Sequence, residues 1–354
     1  GKCKSACPYD AIAKKERPCA MACGVGAIGS DKMGRAKIDN DKCVSCGMCM
    51  VNCPFGAISD KSQIFQLARA LSEGEEIIAE LAPAYIGQFG DNVTQRNMKE
   101  ALKKLGFMEI SEVALGADIG AIAEAHHYVE KVATGELPFL LTSCCPSWSM
   151  MAKKLFPEQA KCISMALTPM VLTARLIKQK EPDCKIVFVG PCAAKKLEAS
   201  RKSIRSYVDF VLTFEEVAGM FEAKGVDWKD IPEGEPLFCA SADGRGFAVS
   251  GGVAEAVVHA VKRIDPDREV KVMSAEGLQN CKKMLQMAKI GKYDGYLLEG
   301  MACPGGCVAG AGTIQTVKKA AAALEKMKKE ASFTESYDSE YKTRLESLEK
   351  FDVE

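Results

Sequence analysis

Cysteine is the residue through which this sequence can do chemistry. The chain of 354 residues holds 17 of them. Cys3, Cys7, Cys19, Cys23, Cys43, Cys46, Cys49 and Cys53 fall close together at the start, and the others are spread thinly over the remainder. The opening Gly1-Lys2-Cys3-Lys4 does not read as an export signal, so the expected setting is the reducing cytoplasm. There, clustered cysteines bind metal more often than they form disulfides, because the thiolate is a soft anionic ligand. Spacing decides which metal chemistry is in reach.

The run Cys43-Val44-Ser45-Cys46-Gly47-Met48-Cys49-Met50-Val51-Asn52-Cys53-Pro54 resembles the ferredoxin pattern C-x2-C-x2-C-x3-C-P. Such spacing lets three thiolates cap one face of an iron–sulfur cubane while the fourth reaches a neighbouring cluster. The alternative, a structural zinc knuckle, is disfavoured by this run. Two partial copies precede it: Cys3-x3-Cys7-Pro8 with Ala11-Ile12, and Cys19-x3-Cys23 with Gly26-Ala27-Ile28; the run itself continues into Gly56-Ala57-Ile58. Eight thiolates are what two [4Fe–4S] clusters need. Cys43, Cys46, Cys49 and Cys23 are expected on one, and Cys3, Cys7, Cys19 and Cys53 on the other. Gly1-Lys2-Cys3 also looks like the tail of a longer run.

The elements that must position these residues fall into three parts. Residues 1–58 read as a small ferredoxin-like α+β domain, too short to build a good core unaided. From residue 59 to 316, short apolar runs alternate with helical patterns. The runs are Glu76–Leu81, Phe139–Leu141, Lys185–Gly190, Val211–Thr213, Leu237–Cys239, Val270–Met273 and Tyr296–Leu298. Helical stretches include Ser62–Ser72, Thr94–Leu105, Glu124–Val132, Met165–Lys178, Glu215–Lys224 and Gly252–Arg263. The alternation predicts an α/β domain with mostly parallel sheet. Four strands run into unusual loops, Ala82-Pro83-Ala84, Thr142 to Pro146, Gly190-Pro191-Cys192 and Glu299 to Cys303, and ligands in such folds sit at the carboxyl ends of strands. Residues 317–354, rich in Ala, Lys and Glu, read as an exposed helical tail.

Thr142-Ser143-Cys144-Cys145-Pro146-Ser147-Trp148, Pro191-Cys192-Ala193-Ala194-Lys195-Lys196-Leu197-Glu198 and Glu299-Gly300-Met301-Ala302-Cys303-Pro304-Gly305-Gly306-Cys307 resemble the three signature motifs of [FeFe]-hydrogenases, in the family's order. The resemblance covers roughly residues 1–315 and implies a two-lobed catalytic domain. It implies that Cys145, Cys192, Cys303 and Cys307 hold a cubane, with Cys307 bridging to a diiron site that carries CO, cyanide and azadithiolate: together, the H-cluster. Lys195 would hydrogen-bond one cyanide, and Ala82, Pro83 and Ala84 would meet the other, with Ala84 replacing a common Ser. Phe247 would form an aromatic wall and Met301 an apolar lid. Cys144 would relay protons, followed by Glu124 and Ser164, with Glu198 near the outer end. The family's outermost glutamate falls at His127, beside His126. Further departures are Gly190 in place of Met, Met170 in place of Gln, and Ala311 and Thr313-Ile314 in the tail of the third motif.

Charge sets the limits on partners. Lys+Arg and Asp+Glu are both 47, so the net charge is zero, which argues against nucleic acid or an anionic membrane as the main partner. No apolar run is long enough to span a bilayer. The resemblance implies H2 and protons as substrates, a ferredoxin or similar electron carrier, and maturation proteins for the diiron site. Lys2, Lys4, Lys14, Lys15 and Arg17 form a local positive excess that could meet an acidic ferredoxin. Against a hydrogenase stand two other readings: an iron–sulfur assembly protein of the same type without the diiron site, and a hydrogen sensor. Cys162, Cys184, Cys239 and Cys281 read as buried small hydrophobes, and His259 as structural.

Overall fold

Short apolar strands become parallel here because helices cover both of their faces. The structure, a computed structural model, describes residues 2–12, 16–202, 207–235, 237 and 240–344. Its strands are β1 (Ile28–Ser30), β2 (Ala36–Ile38), β3 (Ile77–Leu81), β4 (Glu109–Glu112), β5 (Phe139–Leu141), β6 (Lys185–Val189), β7 (Phe210–Leu212), β8 (Lys271–Glu276) and β9 (Tyr296–Met301). β1 and β2 pair as an antiparallel hairpin. The order β4-β3-β6-β7 forms a four-stranded sheet and β5-β9-β8 a three-stranded one. Every pairing in these two sheets is parallel. One buried cluster packs around each sheet, and another lies between the helices Ala114–His127 and Gly252–Ile264.

Four elements depart from the sequence reading. The hairpin and the edge strand β4 escaped it, because hairpin strands of three mostly exposed residues and the polar Glu109-Ile110-Ser111-Glu112 carry almost no apolar signal. The helix expected from Glu124 begins ten positions earlier, at Ala114, and passes into a π-helical turn at Tyr128–Val132. Nearly all of it is buried, so it lacks the polar stripe that marks a surface helix. The tail, as far as it is described, is not an exposed one. Helix Val317–Lys329 buries Ala320, Leu324 and Met327, spaced along one face, in the core of the four-stranded sheet. Beyond it the chain straps across the helix Ala114–His127, where the buried Ser336 hydroxyl donates to Asp118 at 3.0 Å. The Ala/Lys/Glu composition hid the apolar stripe. Cys239, most of the Leu237–Cys239 run, Lys14, Lys15 and residues 345–354 lie outside the described residues.

The cysteine module is fastened to the rest by Val44, buried in the core beside the three-stranded sheet. The Ser147 hydroxyl donates to the Val44 carbonyl at 2.9 Å, and the Lys154 ammonium to that of Cys43 at 2.8 Å. Gly47 has φ 78°, and a Cβ there would stand 2.4 Å from that of Ala311, so only glycine permits this approach. Arg17 is tied to the hairpin: its guanidinium donates to the carbonyls of Gly29 and Gly34.

Candidate active site

The loops leaving the carboxyl ends of β3 and β6 in one sheet, and of β5 and β9 in the other, line a single cavity. Cys145, Cys192, Cys303 and Cys307 all border it. So do Cys144, Lys195, Phe247, Met301 and the loop Ala82 to Ala84. Burial pushes the Cys192 thiol up to about 11 and the Cys307 thiol to about 12, with the neighbouring thiols adding to the rise. Cys303 and Cys145 are raised too, again chiefly by burial. Thiols so placed are neutral until a metal takes their protons. Among the described residues, no three Cys, His, Asp or Glu side chains gather tightly enough to hold a single ion. Four soft donors spread around one space suit a polynuclear cluster instead.

Cys144 lines this cavity, and the buried Glu124 stands close enough to act on its thiol. The Ser143 backbone N–H donates to Glu124 Oε1 at 2.8 Å, and Oε2 is buried without a partner. Burial lifts Glu124 to about 7 against those donors. It also raises the Cys144 thiol well above its ordinary range, and the Glu124 carboxylate raises it further. The Ser143 hydroxyl lies 2.9 Å from Glu124 Oε1 and 2.8 Å from the Ala166 carbonyl, and it has one proton to give. It can therefore donate to an ionised Glu124, or accept from a protonated one while donating to Ala166. Ser143 was not singled out from the sequence, although it stands inside the first signature motif.

Ser164 adds a hydroxyl that favours the charged form of Glu124. Next to it, the Met165 backbone N–H donates to His127 Nδ1 at 3.3 Å, which leaves the proton of a neutral His127 on Nε2. His126 is engaged elsewhere, 3.2 Å from the Tyr337 hydroxyl. Burial lowers the His127 pKa. Glu198 is not at an outer end. It is buried, and its Oε2 accepts from the Lys195 ammonium at 2.7 Å. An i, i+3 spacing on one short helix makes that pairing.

One departure from the motifs has a steric reason. A Cβ at Gly190 would lie 2.4 Å from the Phe188 ring, which itself lines the cavity. Met170 is fully buried at the same wall. Glu299, in the third motif, accepts from the N–H groups of Gly251 at 2.8 Å and Ala254 at 3.0 Å. It thereby caps the helix Gly252–Ile264 from within the strand that ends in Met301. Cys162, Cys184 and Cys281 are buried, and His259 pairs with Asp243 at 2.9 Å.

In the cysteine module, Cys23, Cys43, Cys46 and Cys49 border a second cavity, and Cys46 borders both. Cys46 is pushed up to about 12 by burial, with the charges of Cys23, Cys49 and Cys43 contributing. Cys3, Cys7, Cys19 and Cys53 lie outside that cavity. A turn recurs three times. After Cys7, Cys23 and Cys53 the third residue has positive φ (Asp10 46°, Gly26 64°, Gly56 57°), and the next is alanine. The Ala27 N–H donates to Cys23 Sγ at 3.2 Å and the Ala57 N–H to Cys53 Sγ at 3.3 Å. Backbone donors of this kind, Ala11 first for Cys7 and Phe55 first for Cys53, hold those two thiols below the ordinary range.

An α/β domain whose cavity is ringed by thiols, behind a ferredoxin-like cysteine module, defines an iron–sulfur protein. The family model for the C-terminal domain of the iron-only hydrogenase large subunit matches residues 75–311, and that for a 4Fe-4S binding domain matches residues 36–59. The chain belongs to the iron-only hydrogenase family. It is 30% identical to the periplasmic [Fe] hydrogenase large subunit of Nitratidesulfovibrio vulgaris, over 80% of this chain and 87% of that protein. It is 27% identical to the NADP-reducing hydrogenase subunit HndD of Solidesulfovibrio fructosivorans, over 76% of this chain but only 55% of that protein. Protein NAR1 of Arabidopsis thaliana is 25% identical over 79% of this chain and 73% of its own. The fold matches a solved apo [FeFe]-hydrogenase from Chlamydomonas reinhardtii with TM-score 0.65 and 21% identity, over 83% of this chain and 95% of that one. No helix among the described residues is long and apolar enough to cross a membrane.

Proposed function

We propose that this chain catalyses the reversible reaction 2H⁺ + 2e⁻ ⇌ H2 at an H-cluster in the thiol-lined cavity. The observation that carries the reading is one cavity bordered by Cys145, Cys192, Cys303 and Cys307 together with a further thiol, Cys144, and one ammonium, Lys195. When bound, the cluster supplies the metal and the bridgehead amine at which the H–H bond is made or broken. The four cysteines would hold it as thiolates, with Cys307 as the bridge to the diiron part. Lys195 offers a cation to cyanide, and the Ala82 to Ala84 loop lies across the same space. Phe247 and Met301, both buried, keep bulk water from the reacting end.

Cys144 sulfur passes the proton, and Glu124 Oε2, free of other partners, receives it. Ser143 reports the change by turning its hydroxyl between Glu124 and Ala166. Ser164 and then His127, bound to the adjacent Met165 N–H, lead outward. Electrons would reach the cavity through Cys46, which borders both metal spaces, from two [4Fe–4S] clusters in the cysteine module fed by a ferredoxin-type carrier. The relatives of NAR1 type favour a second reading, an assembly protein with cubanes and no diiron site. Iron analysis separates the two. Protein matured by the enzymes that build the diiron site should carry about 14 iron atoms per chain and evolve H2; eight to twelve irons without turnover would favour the assembly reading.

A further inference from the structure

Glu80 lies in the middle of β3, fully buried, and neither of its carboxylate oxygens has a hydrogen-bond partner. A carboxylate left alone in a dry interior does not keep its charge. Burial accordingly drives Glu80 well above the ordinary carboxylate range. The charged groups facing it are Lys195, which opposes the rise, and Glu198, which adds to it, both on the helix Ala193–Ala199.

The strand register places Glu80 with respect to the catalytic cavity. Side chains alternate along a strand, so Glu80 shares a face of the sheet with Ala82, and its direct neighbour on β6 is Phe188. Ala82 and Phe188 both line the cavity. Glu80 therefore sits one layer beneath the cavity floor, behind a Lys195–Glu198 pair whose ammonium reaches that cavity and whose carboxylate lines a neighbouring one with Ser143 and Ser164. Lys195 lines the cavity while one of its three N–H donors is held by Glu198, and a full turn toward an anion there would loosen that hold. Glu198 would then be a buried carboxylate without a partner, at a large desolvation cost.

We propose that Glu80 is a positioning residue for Lys195: its carboxyl shares a proton with Glu198, which frees the Lys195 ammonium to turn toward an anion in the cavity. The O–H of Glu80 donates to the Glu198 carboxylate, one proton serving two carboxyls, and the charge on the trio stays that of one ammonium and one carboxylate. The proposal rests on the hydrogenase reading for the identity of the anion, cyanide, and not for the shared proton.

Infrared spectroscopy of the full chain at neutral pH tests it. The parent should show the carbonyl stretch of a protonated carboxyl that disappears in Glu80→Gln and shifts in Glu198→Gln. Coincident spectra of parent and Glu80→Gln in that region would overturn the proposal. In matured protein, Glu80→Gln can still donate an N–H to Glu198 and should keep the parent's cyanide bands. Glu80→Leu cannot; it should displace those bands and lower turnover about tenfold. Unmoved cyanide bands in a folded Glu80→Leu would also overturn it. If Glu80→Leu does not fold, the carboxyl band decides alone. If the matured parent has no cyanide bands, the hydrogenase reading fails while the carboxyl band still decides for Glu80.

Discussion

Two kinds of thiol in this chain are prepared in opposite ways. In the cysteine module, Cys7 and Cys53 sit at the heads of exposed turns whose backbone N–H groups point at sulfur and hold the thiols below their ordinary pKa. In the thiol-lined cavity between the two sheets, burial raises Cys145, Cys192, Cys303 and Cys307. Those two turns thus carry their stabilisation of the thiolate in the local chain and need little surrounding protein, whereas Cys46 and Cys49 of the same module are raised by burial like the cavity thiols. The cavity has Lys195 as a nearby cation and must obtain the rest from the positive iron it binds. A site of the second kind can be shaped by the whole fold and kept dry, which suits chemistry on H2 and protons. A site of the first kind suits electron transfer close to the surface: Tyr9 and Phe55, each two residues after its turn cysteine, are both 87% exposed.

The sharpest break in this comparison comes from serine substitutions. Cys307→Ser should abolish hydrogen turnover and remove the diiron site, whereas Cys53→Ser should leave that site intact and slow electron delivery from a ferredoxin. Equal damage to both functions by either change would erase the distinction. Next is the proton edge. Cys144→Ala should cost at least about 100-fold in turnover, the low end for a general acid–base group, with the cofactor retained. Glu124→Gln should match it in a steady-state assay.

Stability against pH gives a third test. Glu124 is near 7 when folded and about 4.3 when unfolded, so its contribution is fully present below about 4.3 and is lost as pH rises through 7. Glu124→Gln lacks that loss. Chemical denaturation should show the variant gaining on the parent by on the order of 3 kcal/mol between pH 4 and pH 8. A constant difference across that range would mean that folding leaves the Glu124 pKa unchanged. His127→Ala should have a smaller effect on turnover than Cys144→Ala, growing as pH rises past the imidazole pKa, which burial sets below its usual value. Smallest is the turn itself: Asp10 occupies a left-handed position that Gly26 and Gly56 fill without strain. Asp10→Gly should stabilise the module by up to about 1 kcal/mol, read as a rise in its melting temperature.

Much of the site was legible because its signals are local. Each signature motif follows or ends a strand, and the convergence of the Ala82, Cys144, Cys192 and Cys303 loops could be expected from where parallel strands place their carboxyl ends. What escaped is what depends on partners distant in sequence. Helix Ala114–His127 has no polar stripe because packing covers it on all sides, so its first turns were unreadable. Glu198 was expected toward solvent, but Lys195, three residues earlier, draws it inward. Glu80 and Glu299 look like ordinary strand carboxylates in sequence. Only the fold shows that one caps a distant helix and the other lies beneath the cavity.

The most direct test of the central claim is the infrared spectrum of matured protein. A diiron site in the cavity predicts CO and cyanide stretching bands in the parent, in Cys53→Ser and in Cys144→Ala, and their absence in Cys307→Ser. Matured protein that carries its cubanes yet shows no CO or cyanide band would contradict the account and leave an iron–sulfur protein of another kind.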